Sequence, residues 1–182
     1  MTGVQTCALP IWAYESVFYQ IYPIGFCGAP TENDGVTVPR IRKLMDWTDY
    51  LKSLGISAVL LNPIFESDNH GYDTRNFLKI DCRLGTNKDF SDVCSHLHQH
   101  GIRIVLDGVF NHVGRGFWAF QDVKEKKWGS PYKDWFYLNF DGDSAYQDGF
   151  WYCSCSGTNI SSPRCSKRIP RRRKLSGMIP PV

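Results

Sequence analysis

Apolar positions change their period along the chain in a regular order. Residues 17–22, Val-Phe-Tyr-Gln-Ile-Tyr, are β-branched and aromatic and stop at Pro23, which predicts a first strand. Pro39 then opens a helical stretch in the early position that its fixed φ suits. Ile41, Leu44, Met45, Thr48, Leu51 and Leu54 fall on one face of it, and Gly55 stands where such a helix stops. Residues 56–61 form a continuous apolar run ending at Asn62-Pro63, the pattern of a buried parallel strand. Thr86 with Asp89 three residues later predicts a capping box, followed by the stripe Phe90, Val93, Leu97 and a stop at Gly101. Residues 102–106 read as a third buried strand that runs into Asp107-Gly108-Val109-Phe110-Asn111-His112.

The order β-α-β-α-β requires a parallel sheet with right-handed crossovers, either an open doubly wound sheet or a (β/α)8 barrel. No glycine-rich phosphate loop follows any strand, which weighs against nucleotide-binding versions. Polar residues gather after the strands. Tyr22, Asn62, residues 66–73 and residues 107–112 all fall at the carboxyl ends, where both architectures bind ligands. The connection from the second strand to the next helix is about 25 residues, and long loops in compact domains usually carry function.

Residues 113–152 break the alternation with thirteen Phe, Trp and Tyr residues, from Phe117 to Tyr152, among Gly and Asp. Such a segment builds a small satellite core. Aromatic faces with carboxylates between them also suit sugars, whose ring faces stack while their hydroxyls take hydrogen bonds.

Composition marks off the ends. Of 182 residues, 42% are hydrophobic and 21% charged, a globular balance, and no run of 18 apolar residues is present to span a membrane. The net charge of +3 comes from residues 153–182, which hold seven Lys or Arg and no acid, whereas residues 12–152 stand at −4. The basic tail is expected to be a frameshifted or disordered segment. Its alternative is a phosphate-binding arm, a remote nucleic-acid reading. Residues 1–11 carry no charge and no period, and their back-translation matches a sequencing adapter read through as protein. They are therefore left out of the fold, and no compartment follows from them. Cys27, Cys82 and Cys94 are too few and too dispersed for a disulfide framework. Cys153, Cys155 and Cys165 fit no common zinc spacing. His96, His98 and His100 are expected on a solvated helix face.

Four of these segments together resemble one family. The run 107–112 is similar to the first conserved region of the α-amylase family of glycoside hydrolases. His70-Gly71-Tyr72-Asp73-Thr74, with Asn76-Phe77 and Ile80-Asp81 behind it, resembles that family's loop after strand two. Residues 16–23 resemble its first strand and residues 61–65 its second. The Tyr-Asp-Thr form of the loop looks like the neopullulanase and cyclomaltodextrinase branch.

The resemblance implies an incomplete (β/α)8 TIM barrel, its first three strands and two helices over residues 12–112. The start of the subdomain inserted after strand three would occupy 113–152. It further implies retaining cleavage of α-glucosidic bonds in starch-like glucans, maltooligosaccharides or cyclodextrins. Tyr72 corresponds to the aromatic that stacks on the sugar at the cleavage point, and His112 to the histidine on that sugar's primary hydroxyl. Asp107 corresponds to the carboxylate holding the site's hydrogen-bond network, with Asp73 its neighbour on the facing loop and His70 beside it. Asn111 matches a position that binds calcium in many members.

Retaining hydrolysis needs a nucleophilic carboxylate and an acid/base carboxyl about 5 Å apart. In the family these follow strands four and five, and no Gly-x-Arg-x-Asp segment occurs here. Asp107, Asp73 and Glu66 match none of them. The expectation is a fragment of an α-glucan hydrolase, inactive as it stands. The alternative is a carbohydrate-binding relative without catalysis.

Overall fold

The computed structural model describes residues 9–136 and 140. The chain divides into two compact units, Met1–Trp118 and Ala119–Val182. The tail at 153–182, the segment 1–8, Tyr137 and the aromatics from Tyr146 onward lie outside the described residues.

The first unit is built on a parallel sheet of three strands in the order β1-β2-β5. These are β1 (Phe18–Ile21), β2 (Ala58–Leu61) and β5 (Arg103–Leu106). Phe18 pairs with Ala58, which pairs with Arg103, and the register runs without a break to Ile21, Leu61 and Leu106. Ala58, Val59 and Leu61 of the central strand have no exposed surface, the burial expected of a parallel strand covered on both faces. Short helices α1 (Ile11–Tyr14) and α2 (Pro23–Phe26) flank β1.

The first crossover differs from the regular helix the sequence predicts. It is a 3-10 helix, Arg40–Trp47, followed by α3 (Thr48–Ser53). The junction explains the tighter winding. The Met45 carbonyl accepts from both the backbone N–H and the hydroxyl of Thr48, three residues on, the latter at 2.7 Å. The apolar face is as read: Ile41, Leu44, Thr48 and Leu51 are buried, while Leu54 is exposed.

The second crossover carries an element that the sequence leaves as loop. Residues 65–80 contain an antiparallel hairpin of β3 (Phe65–Ser67) and β4 (Thr74–Ile80), with irregular register at Glu66. Helix α4 (Asn87–Gln99) follows with the predicted capping box, Thr86 and Asp89 bonding reciprocally. Ile21, Ile41, Leu44, Leu51, Val59, Leu61, Val93, Leu97 and Ile102 interlock between sheet and crossovers as one core.

His96 and His100 depart from the solvated face expected for them. Both are half-buried, with ring centroids 4.4 Å apart; His96 Nε2 meets Thr48 Oγ1 at 3.1 Å, and only His98 points to water. The three cysteines described, Cys27, Cys82 and Cys94, are free thiols. Burial pushes the Cys27 thiol up to about 11, so it stays protonated at neutral pH. Among the described residues no helix is long and apolar enough to cross a membrane.

The second unit contains most of α5 (Trp118–Lys126) and two 3-10 turns, Lys127–Gly129 and Lys133–Trp135. Phe120 packs on Phe136, Trp128 on Phe140 and Tyr132 on Trp135, so its described aromatics form ring clusters of their own.

Candidate functional site

At the carboxyl ends of the three strands the backbone ladder does not stop. Asn62 N–H donates to Ile21 O and Asp107 N–H to Leu61 O, both at 2.9 Å, so the first residue beyond each strand is held in line with its neighbour. Gln20 Nε2 then donates to Asn62 Oδ1 at 2.8 Å, and the Asn62 amide nitrogen donates to the Tyr72 hydroxyl. This chain of bonds carries order from β1 through β2 to the tip of the hairpin. Tyr22 adds a second tie, its hydroxyl donating to His70 O at 3.0 Å. Burial pushes the Tyr22 phenol up, so it remains a donor across the neutral range.

Tyr72, His70 and Asp73 lie together at the tip of the hairpin. The Tyr72 N–H donates to His70 Nδ1 at 3.2 Å, and the two rings stand 6.0 Å apart. Asp73 Oδ2 accepts from the backbone N–H and the side-chain amide of Asn69, at 2.9 and 3.1 Å. Its other oxygen, Oδ1, is buried without a hydrogen bond. Gly71 makes the turn: its φ is +90°, and a Cβ there would stand 3.0 Å from Pro63 O. Only glycine fits that combination.

Asp107 is half-buried, and its carboxylate has no hydrogen-bond or ion-pair partner among the described residues. His112 is half-buried and Asn111 exposed, with the Asn111 amide 3.4 Å from His112 Nδ1. The segment that follows is strapped to the hairpin. Gly114 N–H donates to Thr74 O at 2.8 Å, Gly116 N–H to Asp68 Oδ2 at 3.3 Å, and Arg75 pairs with Asp68 Oδ1 at 3.1 Å. Residues 114–116 are thereby fixed beside residues 68–75.

Sequence reading missed these straps, and it missed the clamp below them. Arg83 is fully buried. It donates to both Asp81 oxygens at 2.8 and 2.7 Å, to Ser67 Oγ at 2.9 Å, and to the carbonyls of Pro30 and Thr31. Asn33 reaches Glu66 Oε1 at 3.1 Å and Ser67 O at 2.7 Å. A charged residue just after a strand reads as solvated, and nothing in the local pattern marks Arg83 as interior.

One cluster of acidic side chains has to be weighed as a calcium site. Among the described residues the one grouping of three acidic, histidine or cysteine ligand atoms is Glu66, Asp81 and Cys82. Asp81 is neutralised by Arg83, and Glu66 accepts from Cys82 N and Asn33 and pairs with Lys79. A hard cation needs six or more free oxygens, and a guanidinium already holds this place.

Residues 20–167 match the family described as alpha amylase, catalytic domain. The chain is 38% identical over 146 residues to neopullulanase 2 of Thermoactinomyces vulgaris, covering 71% of this chain and 25% of that protein. It is 38% identical over 148 residues to a cyclomaltodextrinase of a Bacillus species, covering 71% and 26%. Among solved structures, the cyclic alpha-maltosyl-(1→6)-maltose hydrolase of Arthrobacter globiformis aligns with a TM-score of 0.62 at 36% identity, over 72% of this chain and 34% of the enzyme. The chain thus spans about a quarter of the length of the curated relatives it matches. The parallel β1-β2-β5 sheet is accordingly part of a (β/α)8 barrel, and the chain belongs to the alpha-amylase family of glycoside hydrolases, glycoside hydrolase family 13, within its catalytic domain.

Proposed function

We propose that this chain supplies the sugar-holding half of the active site of a retaining α-glucan hydrolase acting on maltooligosaccharides or cyclodextrins. The observation that carries this reading is the placement of Tyr72. Its ring stands at the carboxyl ends of the strands, and its position is fixed through the hydroxyl by Asn62 and through the backbone by His70. A ring held at both ends is a preorganised platform for the face of a glucose unit. His112, on the adjoining strip, offers a ring nitrogen to a sugar hydroxyl. The Asp107 carboxylate accepts hydroxyl hydrogens in the same mouth, and Asp73 and His70 shape the loop beneath.

The chain as it stands binds but does not cleave. Glu66 and Asp73 are engaged in bracing their own loops, and neither matches the family's nucleophile or acid/base. Hydrolysis requires two carboxyl groups across the scissile bond.

Affinity electrophoresis in gels containing amylose tests the binding half, and chromatography of maltoheptaose incubated with the chain tests the other. Retardation by amylose with no new oligosaccharides is the expected result. Unretarded migration overturns the sugar reading, and release of maltose or glucose overturns the claim that the chain is inert.

A further inference from the structure

We propose that His70 is a positioning residue for Tyr72, a latch that holds the Tyr72 backbone only while its Nδ1 carries a lone pair. The inference rests on reading Tyr72 as the sugar platform.

Nδ1 of His70 stands between one donor and one acceptor. The Tyr72 N–H lies 3.2 Å away and Asp73 Oδ1 lies 3.7 Å away, beyond hydrogen-bond reach. A peptide N–H only donates, so in this arrangement Nδ1 accepts and the ring proton is on Nε2. Asp73 Oδ1 is consequently left buried with no donor, while Oδ2 is filled by Asn69. Leaving a buried carboxylate oxygen unpaired is costly, and the nearby ring nitrogen is the group able to relieve it.

Protonation reverses the preference. An N–H on Nδ1 opposes the Tyr72 N–H and gains a charge-assisted bond to Asp73 Oδ1, which closes by under about 1 Å to reach the usual length. His70 and Asp73 bracket Gly71 and Tyr72, so the movement is delivered to the platform. Among the described residues His70 has no ion-pair partner besides Asp73. Tyr22 meets His70 only through its hydroxyl, Ile24 and Pro63 pack apolar atoms near Gly71, and Asn62 holds the Tyr72 hydroxyl. Asp81 and Arg83, which bear on Tyr22 through space, are paired with each other.

The sign follows. The sugar selects the unprotonated latch, so affinity weakens as pH falls through the imidazole range. The apparent Kd for maltoheptaose rises as pH is lowered and the unprotonated latch becomes scarcer. His70→Asn removes this dependence, because an Asn oxygen accepts the N–H two residues on and does not titrate. His70→Leu weakens binding at every pH. His98→Asn, exposed on α4, leaves the wild-type profile intact.

The test combines side-chain 15N spectra of the histidines with maltoheptaose titrations from pH 5 to 8. The expected results are an Nε2–H tautomer for neutral His70, a Tyr72 amide signal that moves with the His70 titration, and a pH profile that flattens in His70→Asn. An Nδ1–H tautomer, or a Tyr72 amide indifferent to pH, overturns the latch whatever the sugar does. A wild-type slope persisting in His70→Asn also overturns it, by assigning the dependence to His112. If the spectra show the latch but maltoheptaose binds at no pH, the sugar reading fails and the latch stands.

Discussion

Arg83 and Asp81 form a fully buried ion pair two residues apart, Nε to Oδ1 at 2.8 Å and Nη2 to Oδ2 at 2.7 Å. The remaining guanidinium hydrogens go to Ser67 Oγ and to the carbonyls of Pro30 and Thr31, so one side chain joins the hairpin to the loop after α2. Removing one partner of such a pair strands the other charge, which costs about 3–5 kcal/mol. Arg83→Met is expected to lose stability of that order in urea denaturation. The double variant Arg83→Met, Asp81→Leu recovers part of it, because neither charge is then left unpaired.

The N-terminus of α4 predicts an acid-side stability change. Hydrogen bonds from Thr86 and then Arg42 hold the Asp89 carboxyl down at about 2, against an unfolded value near ~3.9. The folded state therefore binds fewer protons than the unfolded one in that window. The contribution is complete above about pH 4 and lost as pH falls toward 2. Asp89→Asn should reduce the slope of the denaturation midpoint between pH 4 and 2 and leave it unchanged near pH 7. An equal slope in both proteins would refute the assignment.

Gly114 is a site of close approach. A Cβ there would collide with the Asp73 carbonyl and stand 2.9 Å from Asp68 Oδ2. Backbone on one side cannot yield cheaply, so Gly114→Ala is expected to cost about 1–3 kcal/mol. It also pushes residues 114–116 off the hairpin, so maltoheptaose affinity should fall with the thermal midpoint. Gly129→Ala, with nothing within 4 Å of the added atom, serves as the comparison and should change neither.

Much of this fold was legible in the sequence because burial on both faces leaves a continuous apolar run. Residues 56–61 showed it, and β2 lies within them; β5 lies within 102–106 but is not the buried strand expected, since Arg103 and Leu106 are exposed and Ile104 and Val105 only half-buried. The Thr86–Asp89 box was legible because capping is a local interaction between residues three apart. Tyr72, Asp73 and His70 were found through a motif, and the structure brings them together. The hairpin at 65–80 was not legible, since its short strands alternate poorly and its register is irregular. Arg83 and Asp68 escaped for a different reason. Their partners lie as many as 53 residues away, and no periodicity reports a contact of that range. His96 was misread as solvated because its acceptor, Thr48, belongs to the other crossover.

Tyr72 carries the central claim, and the claim separates its ring from its hydroxyl. The ring provides the stacking face, worth about 1 kcal/mol or more beyond area burial, while the hydroxyl only receives Asn62. Tyr72→Phe should keep most of the affinity for maltoheptaose and Tyr72→Ala should lose it.

Isothermal titration of the chain with maltoheptaose at pH 7.5, wild type beside Tyr72→Phe and Tyr72→Ala, is the most direct measurement. The account predicts saturable heat in the wild type, a modest weakening in Tyr72→Phe, and no saturable heat in Tyr72→Ala. Equal binding by wild type and Tyr72→Ala, or no binding by the wild type, would contradict it.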